Sequence, residues 1–269
     1  MTIGEWLASA ADRLASVGIE SDRLEATLLL AAAFGKDRSW VLAHAGDPLE
    51  DASSIESLLA RRLTREPLAY ITGTREFFGR EFRVGPGVLI PRQETETLVE
   101  ACLAVAEPGW IVADIGTGSG CVALSVALAR PDLQVTGIDI SREALDYARD
   151  NADRLGARVE LVHGDGIEWV TANPVDLVVT NPPYVGTGDP LPPEVAHHEP
   201  KIALYAGQDG LEFFRRLASI RRPGLHLLAE IGDGQAPAVT EVFEAGGWQD
   251  IGLWRDLGGR IRVLGFRLP

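Results

Sequence analysis

The sequence predicts an α/β protein, a doubly wound and largely parallel sheet preceded by a small bundle of helices. Three observations lead there. From Trp110 onward, short apolar runs alternate with stretches of helical periodicity. Over the first 70 or so residues, the apolar positions recur at helical spacing. After the first strand comes a glycine loop, Gly116-Thr117-Gly118-Ser119-Gly120, and Asp139 closes the strand that follows.

In chain order, Thr2 and Glu5 have capping-box spacing ahead of Trp6, Leu7, Ala10, Leu14 and Val17. Ser21 is placed to cap a second helix through Leu24, Leu28, Leu29 and Ala32, stopped near Gly35. A short helix is expected over 39–45. Ser53 and Glu56 repeat the box spacing before Leu58, Leu59 and Leu63, with Pro67 as the far boundary. Short helices on short loops make a bundle over 1–72. Over 73–90, two aromatic and β-branched runs flank Gly79 and Arg80, which reads as a β-hairpin linker. The third region is 91–269. Pro91 breaks the chain, and Leu98, Val99, Cys102 and Leu103 then share a helical face. Strands are expected at WIVADIG, QVTGIDI, RVELVHGD, VDLVVTNPPY and GLHLLAEIG, and helices over 119–129, 142–154, 209–220 and 235–245. The last two runs, DIGLW and RIRVLGFRL, have no helix between them, which predicts an antiparallel end strand.

Composition narrows the function. A chain of 269 residues with 46% hydrophobic content can bury a sizeable core in one large or two modest domains. A net charge of −14, with Lys36 and Lys201 the only lysines, argues against a broad phosphate-binding surface. No apolar run approaches the ~20 residues of a membrane span. Glu5 and Asp12 stand where a secretory signal would be basic and then apolar. Cys102 and Cys121 form no CxxC pair. The expectation is a cytoplasmic monomer with buried thiols and no metal, membrane or direct nucleic-acid partner. His197-His198-Glu199 is read as a structural or substrate-rim element, because adjacent histidines do not easily face one ion. GTGSG carries no central serine, which weighs against a hydrolase elbow.

Glycines let a backbone turn tightly and approach a ligand closely. The Asp139 carboxylate can accept two hydroxyl hydrogen bonds from a ribose, so loop and acid together suggest a nucleoside cofactor. The spacing is GxGxG rather than the dinucleotide GxGxxG, and Asp114 opens the loop. That negative charge suits the ammonium and sulfonium of S-adenosyl-L-methionine better than a pyrophosphate. Asp165, at the end of VHGD, stands either where an adenine contact is expected or as a turn residue between glycines.

VDLVVT runs directly into Asn181-Pro182-Pro183-Tyr184. Two prolines remove two donors and fix two φ angles, so this loop is stiff and its carbonyls are free to accept. The Asn181 side-chain oxygen and the Pro182 carbonyl could each take one hydrogen of a planar NH₂ group, with Tyr184 covering the plane. Such a pocket would aim an amide or aromatic amine at a methyl–sulfur bond. The set therefore marks Asn181, Pro182 and Tyr184 as catalytic and Asn181 to Tyr184 as substrate-binding.

With these blocks the chain resembles the PrmC/HemK family, protein-(glutamine-N5) methyltransferases acting on class-1 peptide-chain release factors. PLAYITGTREFFG, VLIPRQETETLVE, DIGTGSG, TNPPYV, HHEPKIALYAGQDGLEFFRRL, LLAEIGDGQ and RDLGGRIRVLGFR follow the family's order over about residues 67–267. The resemblance implies a class I, Rossmann-like, seven-stranded methyltransferase domain behind a helical substrate-recognition bundle. It implies that Gly116, Thr117, Gly118, Ser119 and Gly120 line S-adenosyl-L-methionine and that Asp139 holds its ribose. Asp165 and Gly166 would stand at its adenine. Asn181 would touch cofactor and substrate, and Asn181, Pro182, Pro183 and Tyr184 would bind the glutamine of a Gly-Gly-Gln motif. S-Adenosyl-L-homocysteine would be the product, and the 91–96 loop would close over the pocket. Two positions depart from the family pattern: Gln93 stands where a second proline is common, and Gly166 follows Asp165 where an aromatic is common, with Trp169 three residues on. Two other substrates share the planar NH₂ group, a ribosomal-protein glutamine and adenine N6 of DNA or RNA. A dehydrogenase or a non-catalytic nucleotide-binding module is opposed by the GxGxG spacing and NPPY.

Overall fold

In a computed structural model describing residues 1–50 and 52–269, the chain divides into two units. One comprises Met1–Thr74 and Leu191–His198, the other Arg75–Pro190 and Glu199–Pro269.

The smaller unit is built on α1 (Ile3–Ser16), α2 (Asp22–Phe34), α3 (Arg38–Ala43), α4 (Ser53–Leu63) and α5 (Leu68–Thr72). The expected capping box forms: Thr2 Oγ1 accepts from the Glu5 amide at 3.2 Å, and Glu5 Oε2 accepts from the Thr2 amide at 2.8 Å. Trp6, Leu14, Leu29, Leu30, Ile55 and Leu59 are fully buried and make the core. The second expected box does not form. Ala52 is the N-cap of α4, and Glu56 accepts instead from Trp6 Nε1 at 2.7 Å and Arg13 Nη1 at 2.8 Å. A buried indole N–H needs an acceptor more than a solvated helix start does. Ser21 makes no side-chain cap bond, and Leu24 is exposed; the buried face of α2 is Ala26, Leu29 and Leu30. Arg62 is buried between two carboxylates, bonding Glu25 and, at 3.0 Å, Glu194 Oε1, which also pairs with Arg65 at 2.8 Å. A buried guanidinium demands such partners. These pairs bring Leu191–His198 into the smaller unit, although in sequence the segment falls within 91–269.

In the larger unit, β1 (Thr74–Phe77) and β2 (Arg80–Arg83) form the hairpin, and Phe77 and Phe82 are buried against Leu98, Val99 and Cys102 of α6 (Glu96–Val105). Next come β3 (Ile111–Ile115), α7 (Cys121–Ala129), β4 (Gln134–Asp139), α8 (Arg142–Leu155), β5 (Glu160–His163), α9 (Gly166–Ala172) and β6 (Leu177–Thr180). After α10 (Pro193–His198), which belongs to the smaller unit, come α11 (Glu212–Ala218), β7 (His226–Glu230), α12 (Ala236–Ala245), β8 (Gln249–Arg255) and β9 (Ile261–Arg267). The seven-stranded sheet runs β5-β4-β3-β6-β7-β9-β8, parallel except for β9, which is antiparallel to both neighbours. The antiparallel strand is thus one position in from the edge rather than at it. Its Val263, Leu264 and Phe266 are buried, while Ile251 and Leu253 of β8 are exposed, so the more apolar strand of the hairpin takes the interior place. Strand order reverses at β3, which lies between β4 and β6, and this opens a crevice at the strand ends. Fully buried Asn151 of α8 braces the crevice: its Nδ2 donates to the Ser119 and Arg83 carbonyls, and its Oδ1 accepts from the Arg83 amide. Among the described residues no helix is long and apolar enough to cross a membrane.

Candidate active site

A cavity occupies the crevice beyond β3, β4 and β6. The glycine loop forms one wall and hangs on β4, since the amides of Gly116 and Thr117 both donate to the Ile138 carbonyl, at 2.8 and 3.1 Å. Gly116 has φ 73° and Gly118 φ 57°, a left-handed backbone that favours glycine. A Cβ on Gly116 would meet no protein atom within 4 Å, so the loop offers bare backbone there. Gly116, Thr117, Gly118 and Ser119 line the cavity. Gly120 lies outside the lining and serves packing: a Cβ there would stand 3.1 Å from Leu124 and 3.3 Å from Ala148.

Two acids organise the loop, Asp114 buried and Asp139 half-buried. Asp114 Oδ2 accepts from Thr117 Oγ1 at 2.7 Å and the Ala123 amide at 3.1 Å, and burial pushes its carboxyl up to about 7. Asp139 accepts from the Ser141 amide at 2.8 Å on Oδ1 and the Gly118 amide at 2.9 Å on Oδ2. Burial raises its pKa, and each oxygen keeps a further lone pair for a hydroxyl donor.

Asp165 lines the cavity and is also the N-cap of α9, with Oδ1 accepting from the Ile167 and Glu168 amides. Burial works to raise its pKa, but the Arg216 guanidinium on Oδ2 holds it below the ordinary value. Gly166 has a packing reason, because a Cβ there would lie 2.5 Å from Ile115 Cγ2. Trp169 lies outside the lining, whereas Phe213 and Arg216 of α11 are part of it. Sequence reasoning missed that pair. The available signal was their separation by one helical turn within the expected helix over 209–220.

Beyond β6, Thr180 Oγ1 donates to the Ile115 carbonyl at 2.8 Å and ties the strand end to the glycine-loop side. Asn181, Pro182 and Pro183 line the cavity. Asn181 Nδ2 donates to Thr95 Oγ1 at 3.1 Å, which turns its Oδ1 away from Thr95. Tyr184 stands behind this wall and outside the lining. Its carbonyl accepts from Gln235 Nε2 at 3.0 Å, its ring lies beside Gly232, and burial together with nearby Glu230 pushes its phenol up to about 12. Pro91, Arg92 and Thr95 form a further wall. Glu199 anchors it, accepting from the Ile90 amide at 3.1 Å and Arg92 Nη2 at 2.5 Å. Glu199 therefore acts apart from His197 and His198, which lie in α10. Among the described residues no group of three or more His, Cys, Asp or Glu could hold a metal ion.

A bare-backbone cradle, an acid able to receive ribose hydroxyls and a stiff acceptor loop around one cavity fit a nucleoside-bearing methyl donor facing a planar nitrogen. With the seven-stranded sheet in this order, the fold is that of a class I methyltransferase. Residues 5–73 match the family described as PrmC N-terminal domain, and residues 93–196 the methyltransferase small domain family. A methyltransferase from Pyrococcus furiosus shares the fold, with a TM-score of 0.54 at 20% identity over 71% of this chain and 89% of that one. A release factor glutamine methyltransferase from Geobacter sulfurreducens is 43% identical over 95% of this chain and 93% of its own length. One of the same name from Cereibacter sphaeroides is 42% identical over 100% of this chain and 99% of its own length. The chain belongs to the release factor glutamine methyltransferase family.

Proposed function

We propose that the protein methylates the side-chain amide nitrogen (N5) of the glutamine in the Gly-Gly-Gln motif of class-1 peptide-chain release factors, using S-adenosyl-L-methionine and leaving S-adenosyl-L-homocysteine. When bound, S-adenosyl-L-methionine supplies an electrophilic methyl group on a sulfonium. The chain's own residues bind and orient. Gly116, Thr117, Gly118 and Ser119 offer backbone to the donor with Gly120 supporting the turn, Asp139 receives the ribose, and Asp165 and Gly166 stand at the adenine. Asn181 Oδ1 and the Pro182 carbonyl accept the two amide hydrogens, which polarises the N–H bonds and favours a more tetrahedral nitrogen. Pro183 keeps the loop stiff, and Tyr184 completes the substrate loop, its carbonyl held by Gln235. Transfer forms an N–C bond as the C–S bond breaks, and the amide gives up one proton to water.

The observation that carries this reading is the Asn181–Thr95 bond at the cavity wall, which leaves Asn181 as an oxygen acceptor beside the glycine loop. The names of the full-length relatives support the substrate. The charge of −14 supports a protein partner rather than a nucleic acid, and the enzyme is read as a cytoplasmic monomer. The test is incubation with labelled donor and purified release factor, followed by peptide mass mapping. Label should sit on the motif glutamine and vanish when that glutamine is replaced by alanine. Label elsewhere, or on nucleic acid alone, contradicts the reading.

A further inference from the structure

Among the described residues that line the cavity, Phe213 is the one aromatic side chain. It comes from α11, whose Phe214 and Leu217 are fully buried and seat the helix on the core. Phe213 and Arg216, one turn apart, both line the cavity, and Phe213 is only half-buried, at the edge of that core. The Arg216 guanidinium reaches in two directions. Its carbon lies 5.6 Å from the centre of the Phe213 ring, and its Nη2 donates to Asp165 Oδ2. The ring therefore stands at the Asp165 end of the cavity.

That end adjoins the acid proposed to receive the ribose. Asp139 pairs in register with His163, and the Gly164 amide donates to the Asp139 carbonyl at 3.0 Å. Asp165 and Gly166 thus leave the sheet directly beside Asp139. A nucleobase carried on that ribose is a flat π system, and an aromatic ring is its best stacking partner. Gly166 has no side chain to offer, and a Cβ there would already lie 2.5 Å from Ile115 Cγ2. Asp165 can accept a hydrogen bond at the edge of a base but presents no apolar face. The ring of Phe213 is the face that remains.

We propose that Phe213 is the stacking face for the nucleobase of the methyl donor, and that Arg216 holds the ring in place by spanning from it to Asp165. Phe213 is a binding residue, and Arg216 is a positioning residue. The identity of that base as adenine rests on the function proposed above.

Three variants of the full chain test it: Phe213→Leu, Phe213→Tyr and Arg216→Met. Each is read by the Kd for S-adenosyl-L-homocysteine in calorimetry and by the proton NMR shifts of its adenine H2 and H8 on binding. In the parent, both protons should move upfield under the ring current. Phe213→Leu keeps an apolar contact with the core but loses the π face. Its Kd should rise about tenfold, the weight of one base–aromatic stack, and the upfield shift should vanish. Phe213→Tyr should restore both, which a merely space-filling role would not require. Arg216→Met should raise Kd about threefold, as expected for a partly exposed ion pair, with a reduced shift. Adenine protons unshifted in the parent overturn the stack, as does a Phe213→Leu variant that binds like the parent or a Phe213→Tyr variant that binds as weakly as Phe213→Leu. A parent that binds no S-adenosyl-L-homocysteine overturns the donor reading, and the stack falls with it.

Discussion

Asn181 and Asp139 touch the same cavity from opposite sides, and their substitutions should separate chemistry from binding. Asn181→Ala removes an acceptor needed as the nitrogen reorganises, so kcat should fall by ~100-fold or more while donor Kd stays nearly constant. If Asp139 receives the ribose as proposed, Asp139→Ala should raise donor Kd about tenfold. Calorimetry beside steady-state kinetics distinguishes the two, and the reverse pattern contradicts the assignment. Gly166→Ala probes packing: with Ile115 Cγ2 only 2.5 Å from the added carbon, overpacking should cost about 1–3 kcal/mol in urea unfolding. At this scale the sequence exposed chemistry carried by contiguous residues. Asn181 to Pro183 and Gly116 to Ser119 are neighbours in the chain and walls of one cavity. Thr95, Glu199 and Phe213 come from separate segments, and no local spacing marks them. Tyr184 is contiguous with the loop but turns behind it, because the strand end leaves it beside Gly232 and Gln235.

Among the elements, the stretch from Ile90 to Thr95 is pinned at two points, by Glu199 on Ile90 and Arg92 and by Asn181 on Thr95. Glu199→Ala leaves the buried Ile90 amide without its acceptor. Its hydrogen exchange should quicken well beyond that of the central sheet, and an unchanged rate would show that the loop is held elsewhere. Helix starts were readable where the cap was local, as at Thr2 and Glu5. They were misread where tertiary demand won, as at Glu56, which serves the Trp6 indole. The final hairpin was readable as antiparallel because no crossover helix separates its strands. Its order was not, because which strand takes the interior depends on the relative burial of Phe266 and Ile251.

For the molecule as a whole, two buried carboxyls set a pH dependence. Glu230 and Asp114 are pushed by burial to about 7, from ordinary values of 4.5 and 3.8. Below about pH 4 both are protonated folded and unfolded, and neither opposes folding. Between about 4 and 7 the unfolded chain releases these protons first, so their contribution falls as pH rises and is lowest above 7. Glu194 and Asp165, held below their ordinary values by arginines although burial opposes it, act the other way: their contribution is lost as pH falls. Glu230→Gln should therefore gain stability relative to the parent at pH 8 compared with pH 5 in urea unfolding. An equal difference at both pH values contradicts the burial account. The most direct test of the whole reading is a crystal structure with S-adenosyl-L-homocysteine and a Gly-Gly-Gln peptide. The account predicts the glutamine amide nitrogen within hydrogen-bonding distance of Asn181 Oδ1 and the Pro182 carbonyl, facing the sulfur. A glutamine seated elsewhere, or Asn181 presenting its nitrogen to the peptide, would contradict it.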